Sequence, residues 1–392
     1  MFCWHALFTL DLQRITQLRN RKIMAISEDK NVILTLDAGG TNFVFSAWQG
    51  GIEIVEPIVS SSNAHDLEKC INTIFTGFES VKAKLLQPAD AISFAFPGPA
   101  DYAKGIIEDL PNFKAFNGGV PLGPILEEKF GLPVFINNDG NLFAYGEALA
   151  GYLPELNKRI IEKGGIKQFK NLVGLTLGTG FGCGIVINDH LLEGDNSCDA
   201  GIHNTSNKFK TNWNAEESVS TRAIQRVYCE EAGIEMNTNL MPKDIFDIAK
   251  GAADGNQKAA LRSFVVFGEA LGNSIANMTT LIDGIVVIGG GLAAAWELFA
   301  PAMIAEVSRK YEDPFGNKYA RVSVKVYNLE DETTFGEFAK GHIQSLAIPG
   351  SDRIVTYDNL ARVGIGISRL SASSAIAIGA NAFAIQHLHS DE

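Results

Sequence analysis

Two stretches constrain the fold of this chain more than anything else in it. "VILTLDAGGTNFVFSA" begins at Val32 and "LVGLTLGTGFGCGIVI" at Leu172. Each reads as a β-branched strand, a glycine-rich turn and a second strand. They are weak in identity but matched in shape, and their separation suits one in each of two lobes. Between them, from Asn31 to about Gly151, short β-branched runs alternate with helical patterns, as in an α/β layer fold. "DLEKCINTIFTGFESVKAKL" places Leu67, Ile71, Ile74, Phe75 and Phe78 on one helical face. At 392 residues the chain is long enough for one two-lobed unit or two domains.

The turns themselves carry chemistry. Backbone N–H groups in a tight glycine turn form an anion-binding concavity, because glycine lets the chain approach a phosphate closely. In "DAGGT", Gly39 and Gly40 would donate N–H groups and Thr41 a hydroxyl. Asp37 would repel a phosphate, but it can hold Mg²⁺ that neutralises one. Gly178, Thr179 and Gly180 of "LGTGFG" would act likewise in the other lobe. A plain hairpin turn is the competing reading for either alone; two together, one with a strand-end carboxylate, point to phosphate.

Asp139 follows "PVFINN", where a strand gives way to a helix. A carboxylate at a strand's carboxyl end lines the crevice of an open α/β sheet and could take the proton of an attacking hydroxyl. Asn138 offers a donor and an acceptor suited to a vicinal diol. The helix N-cap is an equally good reading of these residues. "IVVIGGGLAAA" fits G-x-G-x-x-A through Gly289, Gly291 and Ala294, but lacks the acidic residue a dinucleotide site needs. A helix N-terminus beside an adenosine is the better reading. No P-loop motif occurs.

Other classes are disfavoured. A net charge of -12 argues against a nucleic-acid surface. No apolar run is long enough to span a membrane. Five scattered cysteines with no CxxC pair suggest neither disulfides nor a zinc site and fit a reducing cytoplasm; Cys183 reads as core. Residues 1–30 are expected to be a disordered tail, with Met24 a plausible start. Residues 31–136 with 374–392 are expected to form a small α/β lobe, and 137–373 a large one. Residues 154–171 read as a charged, solvent-facing helical insertion.

The motifs occur in an order that resembles a known family. "LDAGGTN", "FAFPGPAD", "LPNFKAFNGGVPL", "GLPVFINNDGNLFAYGEALAGY", "LTLGTGFGCGIVINDHLLEG", "VVIGGGLA" and "IGANAFA" look like the ROK family of sugar kinases and repressors, over Val32 to Ala384. The resemblance implies an actin-like, two-lobed fold of the sugar kinase and ribonuclease H-like type. It implies ATP, Mg²⁺ and a hexose as ligands, γ-phosphoryl transfer to a sugar hydroxyl, and a homodimer. Carried over, Asp37, Gly39, Gly40, Thr41 and Asn42 match the first phosphate motif, with Mg²⁺ near Asp37. Gly178, Thr179 and Gly180 match the second, and Gly289, Gly290 and Gly291 the adenosine motif. Asp139 matches the catalytic base, and Gly98, Asn112 and Asn138 sugar-contacting positions.

Departures fall in one region. In "DAGIHN" Ile202 stands where the family has a glutamate, and His203 is the candidate for its histidine. The family's cysteine-rich zinc motif is replaced by "KTNWNAEESVS", of which Glu216 alone remains as a sugar-contact candidate. The expected function is an ATP-dependent hexose kinase, with glucose first, then fructose, mannose or an N-acetylhexosamine. The alternative is a catalytically reduced, sugar-binding regulator of the same family. A repressor is disfavoured, because about 30 residues precede the first strand.

Overall fold

The computed structural model describes residues 28–39, 41–108 and 114–389. Most of the expected tail, Gly40 and Asn112 lie outside the described residues. The chain divides into two compact units, one within Met1–Ala150, Gly194–Ser197 and Ser373–Glu392, the other Gly151–Glu193 and Cys198–Ala372.

In the first unit the strands are β1 (Ile33–Ala38), β2 (Asn42–Gln49), β3 (Ile52–Ser61), β4 (Ala91–Ala95), the short pair β5 (Ala100–Asp101) and β6 (Ile106–Ile107), and β7 (Val134–Asn137). The main sheet has the order β3-β2-β1-β4-β7. β1, β2 and β3 pair antiparallel, whereas β1, β4 and β7 run parallel. One face packs on the Leu67–Lys82 helix, which Asp66 caps by accepting from Lys69 N. Ile74 and Phe78 of the expected face are fully buried; Leu67, Ile71 and Phe75 pack at its margin. Phe45 and Phe78 meet edge to face at 5.3 Å. Gly77 makes room for them, since a Cβ there would lie 2.3 Å from the Phe45 ring.

The second unit repeats the plan. Its strands are β8 (Leu172–Leu177), β9 (Phe181–Ile187), β10 (His190–Leu191), β11 (Ile285–Gly289), the ribbon β12 (Lys310–Glu312) with β13 (Lys318–Ala320), β14 (Lys325–Asn328), the ribbon β15 (Ile343–Ala347) with β16 (Ile354–Asp358), and β17 (Arg362–Ile367). The main sheet has the order β10-β9-β8-β11-β17-β14. Again three strands form an antiparallel meander, and β8 continues into parallel β11, β17 and β14. The matched shape of the two hairpins in the sequence is therefore a matched position in two sheets. Cys183 lies in this unit's core, where burial pushes its thiol far up.

Both units bring helices together through glycine. In the first, a Cβ on Gly146 would lie 2.1 Å from Ala375 O, and one on Gly379 1.9 Å from Leu142 O. The Asp139–Leu149 and Ala372–Leu388 helices thus touch backbone to backbone. In the second, Gly268 and Gly272 of the Gln257–Leu281 helix would meet Phe299 O and Met303 O at 2.3 and 2.5 Å.

Two expectations are corrected. The division between units falls after Ala150, not at 136/137, because the Asp139–Leu149 helix is fixed to the C-terminal helix. The 154–171 segment is not simply solvent-facing: the Tyr152–Glu162 helix buries Tyr152, Leu153, Leu156 and Ile160 at helical spacing. Residues 330–350 hold a helix, Glu332–Lys340, capped by Asp331, and strand β15.

Candidate active site

In both sheets the predicted residues gather at the carboxyl ends of the parallel strands, where open α/β sheets bind ligands. In the first unit Asp37 of β1 stands level with Ala95 of β4, which in turn is level with Asn137 of β7. Asp37, Pro97-Gly98-Pro99 and Asn138-Asp139 are therefore neighbours along one sheet edge.

The turn after β1 is tight: a Cβ on Gly39 would lie 2.8 Å from Asn42 O. Thr41 O accepts from Ser62 N at 2.9 Å, which ties the turn to the end of β3. Thr41 and Asn42 are exposed, and Asp37 is half-buried beside them. A half-buried carboxylate next to an open glycine turn is a hard oxygen donor of the kind Mg²⁺ takes, so the residues fit a metal-bound phosphate here.

The N-cap question is decided by geometry. Asn138 is the cap of the Asp139–Leu149 helix, its Oδ1 accepting from Gly140 N at 2.8 Å. Asp139 is the first helical residue, and its Oδ1 also accepts from Gly140 N at 2.8 Å. Asp139 is exposed to solvent, although many protein atoms lie around its carboxyl. That desolvation pushes its carboxyl above the usual carboxylate range and the charge of Asp37 adds to the effect, against the pull of the Gly140 and Asp139 N–H groups. Nearby, Tyr102 OH donates to Phe96 O at 2.9 Å and accepts from Asn138 Nδ2 at 3.5 Å. A Cβ on Gly98 would lie 3.0 Å from that hydroxyl. Gly98, Tyr102, Asn138 and Asp139 thus form one polar cluster; Tyr102 was not legible in the sequence, since a lone tyrosine carries no motif.

In the second unit, Gly178, Thr179 and Gly180 join β8 to β9, with Gly178 N donating to Gly180 O at 3.1 Å. Gly289 of β11 is level with Thr176 of β8, so the second and third glycine motifs are adjacent. Gly290 has φ +85°, and a Cβ there would lie 2.4 Å from Leu177 O. A Cβ on Gly178 or Gly291 would meet nothing within 4 Å. One glycine is thus required by packing, and the other two leave open space that a ligand could use.

The residues that depart from the family pattern also lie in the second unit. Ile202 is buried in the core, so it is a packing residue rather than a surface replacement of a sugar ligand. His203 sits half-buried in the short Ile202–Asn204 turn. Glu216 is engaged elsewhere: its Oε2 accepts from Phe181 N at 3.0 Å and its Oε1 pairs with Arg222 at 2.8 Å. Where the zinc motif would fall, Asn207 organises the loop. Its Nδ2 donates to Asn214 O and Ser218 Oγ, both at 2.8 Å, and its Oδ1 accepts from Phe209 N and Lys210 N. Two cations lie over the Trp213 ring, Lys210 Nζ at 3.9 Å and Arg226 Cζ at 4.6 Å from its centre. Among the described residues no three His, Cys, Asp or Glu side chains cluster as a metal site.

Residues 33–339 match the model of the ROK family. The chain belongs to the ROK family. A crystallised glucokinase from Parabacteroides distasonis is 48% identical, covers 93% of this chain and all of its own, and superposes with a TM-score of 0.84. Among curated relatives, the Thermotoga maritima glucokinase is 28% identical, over 55% of this chain and 68% of its own. The Caldicellulosiruptor bescii xylose repressor is 25% identical, over 80% of this chain and 78% of its own. The fold is the actin-like α/β fold of ROK sugar kinases. Among the described residues no helix is long and apolar enough to cross a membrane.

Proposed function

We propose that this ROK protein is an ATP-dependent hexose kinase, with glucose the favoured acceptor and fructose, mannose or an N-acetylhexosamine the others. One observation carries the reading: Asp139, its carboxyl raised by its surroundings, stands on the same sheet edge as Asp37 and the first glycine turn. A base with a raised pKa is the better proton acceptor, so Asp139 suits removal of a hydroxyl proton as phosphoryl transfer begins. Asn138 and Tyr102 would orient the sugar. Within its own unit, each of the turns at Gly39–Thr41 and Gly178–Gly180 is suited to phosphate, and Gly289–Gly291 to adenosine. Mg²⁺ held by Asp37 would neutralise phosphate charge. Likeness to the Parabacteroides glucokinase supports the substrate class, and a cytoplasmic homodimer is part of the same reading.

A second reading has its own observation. Ile202, buried where the family pattern has a glutamate, leaves one fewer polar group for a sugar, as in a catalytically reduced sugar-binding regulator. ADP release with Mg-ATP across a hexose and amino-sugar panel separates the two. Sugar-dependent turnover that disappears in Asp139→Asn supports the kinase. Sugar binding without turnover supports the regulator.

A further inference from the structure

Glu216 is bound to the very turn that the proposed function assigns to phosphate. Its Oε2 accepts the N–H of Phe181, the residue that closes the Gly178-Thr179-Gly180 turn, at 3.0 Å. The same oxygen lies 2.9 Å from where a Cβ on Gly180 would be, so the carboxylate is seated directly against the turn. Opposite it, Arg222 pairs with Oε1 at 2.8 Å and with Glu217 at 2.8 Å. The stretch carrying Glu216 is anchored beside the turn by Thr221, whose N and Oγ1 both donate to Gly178 O, at 2.8 and 3.0 Å. A backbone N–H at a glycine turn, with an anionic oxygen on it and a guanidinium behind the anion, is the arrangement that binds a phosphate oxygen.

We propose that Glu216 is an internal surrogate for phosphate: its carboxylate occupies the anion seat of the second glycine turn until a nucleotide phosphate displaces it. The inference rests on the nucleotide reading above and adds a competition built into the chain. Two anions cannot share one N–H in close contact, so the apparent affinity for nucleotide is lowered by the fraction of molecules with Glu216 seated. Displacement leaves Glu216 on Arg222, which keeps its charge paired. Glu216 is a positioning residue for the turn, and Gly180 is glycine because the carboxylate must approach it.

The test is calorimetric titration of the full chain with the Mg²⁺ complex of a non-hydrolysable ATP analogue. Three variants are compared with wild type: Glu216→Gln, Glu216→Ala and Glu217→Gln. The last removes an equal charge from Arg222 without touching the turn. Both Glu216 variants should bind several-fold tighter, about 3- to 10-fold, and Glu217→Gln should change affinity less than half as much. Weaker binding by the isosteric Glu216→Gln overturns the inference and makes Glu216 a brace that nucleotide needs. Equal tightening by Glu217→Gln also overturns it, because long-range charge then explains the effect. Selective ¹⁵N-Phe labelling of wild type gives an independent readout, since the Phe181 amide resonance should move when the analogue binds. An analogue that binds while that resonance stays fixed refutes the exchange and leaves the nucleotide reading intact. Wild type that binds no nucleotide overturns both.

Discussion

At Asp139 desolvation and a like charge act in the same direction, and the consequence can be worked out for both catalysis and stability. A general base must be ionised, so the acid limb of kcat/KM against pH should lie above the ordinary carboxylate range. Asp139→Asn should lower kcat by about 10²- to 10⁴-fold. For stability the sign is reversed. The folded chain holds this proton more tightly than the unfolded chain, so the contribution to stability is full below the unfolded value and is lost as pH rises through the folded one. Asp139→Asn should therefore melt no lower than wild type at neutral pH, and its relative stability should fall on acidification. A drop in melting temperature at neutral pH would contradict the assigned shift. Asp139 as a candidate was legible from its place after a strand. That Asn138 is the cap and Asp139 the surrounded carboxylate was not, because the sequence offers two capping residues side by side and only backbone geometry selects between them.

At the scale of elements, glycines separate into two kinds that look alike in the sequence. Gly290 has a positive φ and rests on Leu177, so Gly290→Ala should cost more than about 1 kcal/mol in chemical denaturation. Gly178 has open space and no such constraint, so Gly178→Ala should fold normally and lose nucleotide affinity, because its Cβ would enter the cradle. The glycine crossing between the Asp139–Leu149 and Ala372–Leu388 helices gives a third prediction. Gly379→Ala should destabilise the fold by about 1–3 kcal/mol and lower kcat as well, since the helix it displaces begins at Asp139. Unchanged turnover in a folded Gly379→Ala would separate the crossing from the site. The small-residue run "SASSAIAIGANAFA" lies in the last helix, but its partner is invisible in the sequence: close packing needs both backbones, and only one of them is local.

For the whole molecule, the two sheets share one plan: an antiparallel meander followed by parallel strands, with glycine turns at the carboxyl ends. Loop 205–217 reaches its shape through the Asn207 amide and the Trp213 stack. A zinc-selective chelator should therefore leave the melting curve unchanged, whereas EDTA should abolish turnover by removing Mg²⁺. A large loss of stability with the zinc chelator would refute that account of the loop. What the sequence determined by itself was local: strand periodicity, turns that only glycine permits, carboxylates at strand ends, and the order of these motifs along the chain. Those follow from backbone sterics and a two-residue or 3.6-residue repeat, which neighbouring residues alone express. The tertiary structure decided which of these residues meet. It placed Glu216 on Phe181 rather than leaving it open, buried Ile202, fastened the helix of Asp139 to the last helix of the chain, and raised the Asp139 pKa. Each of these depends on packing between segments far apart in sequence, where a single carbonyl oxygen or an absent Cβ settles the contact.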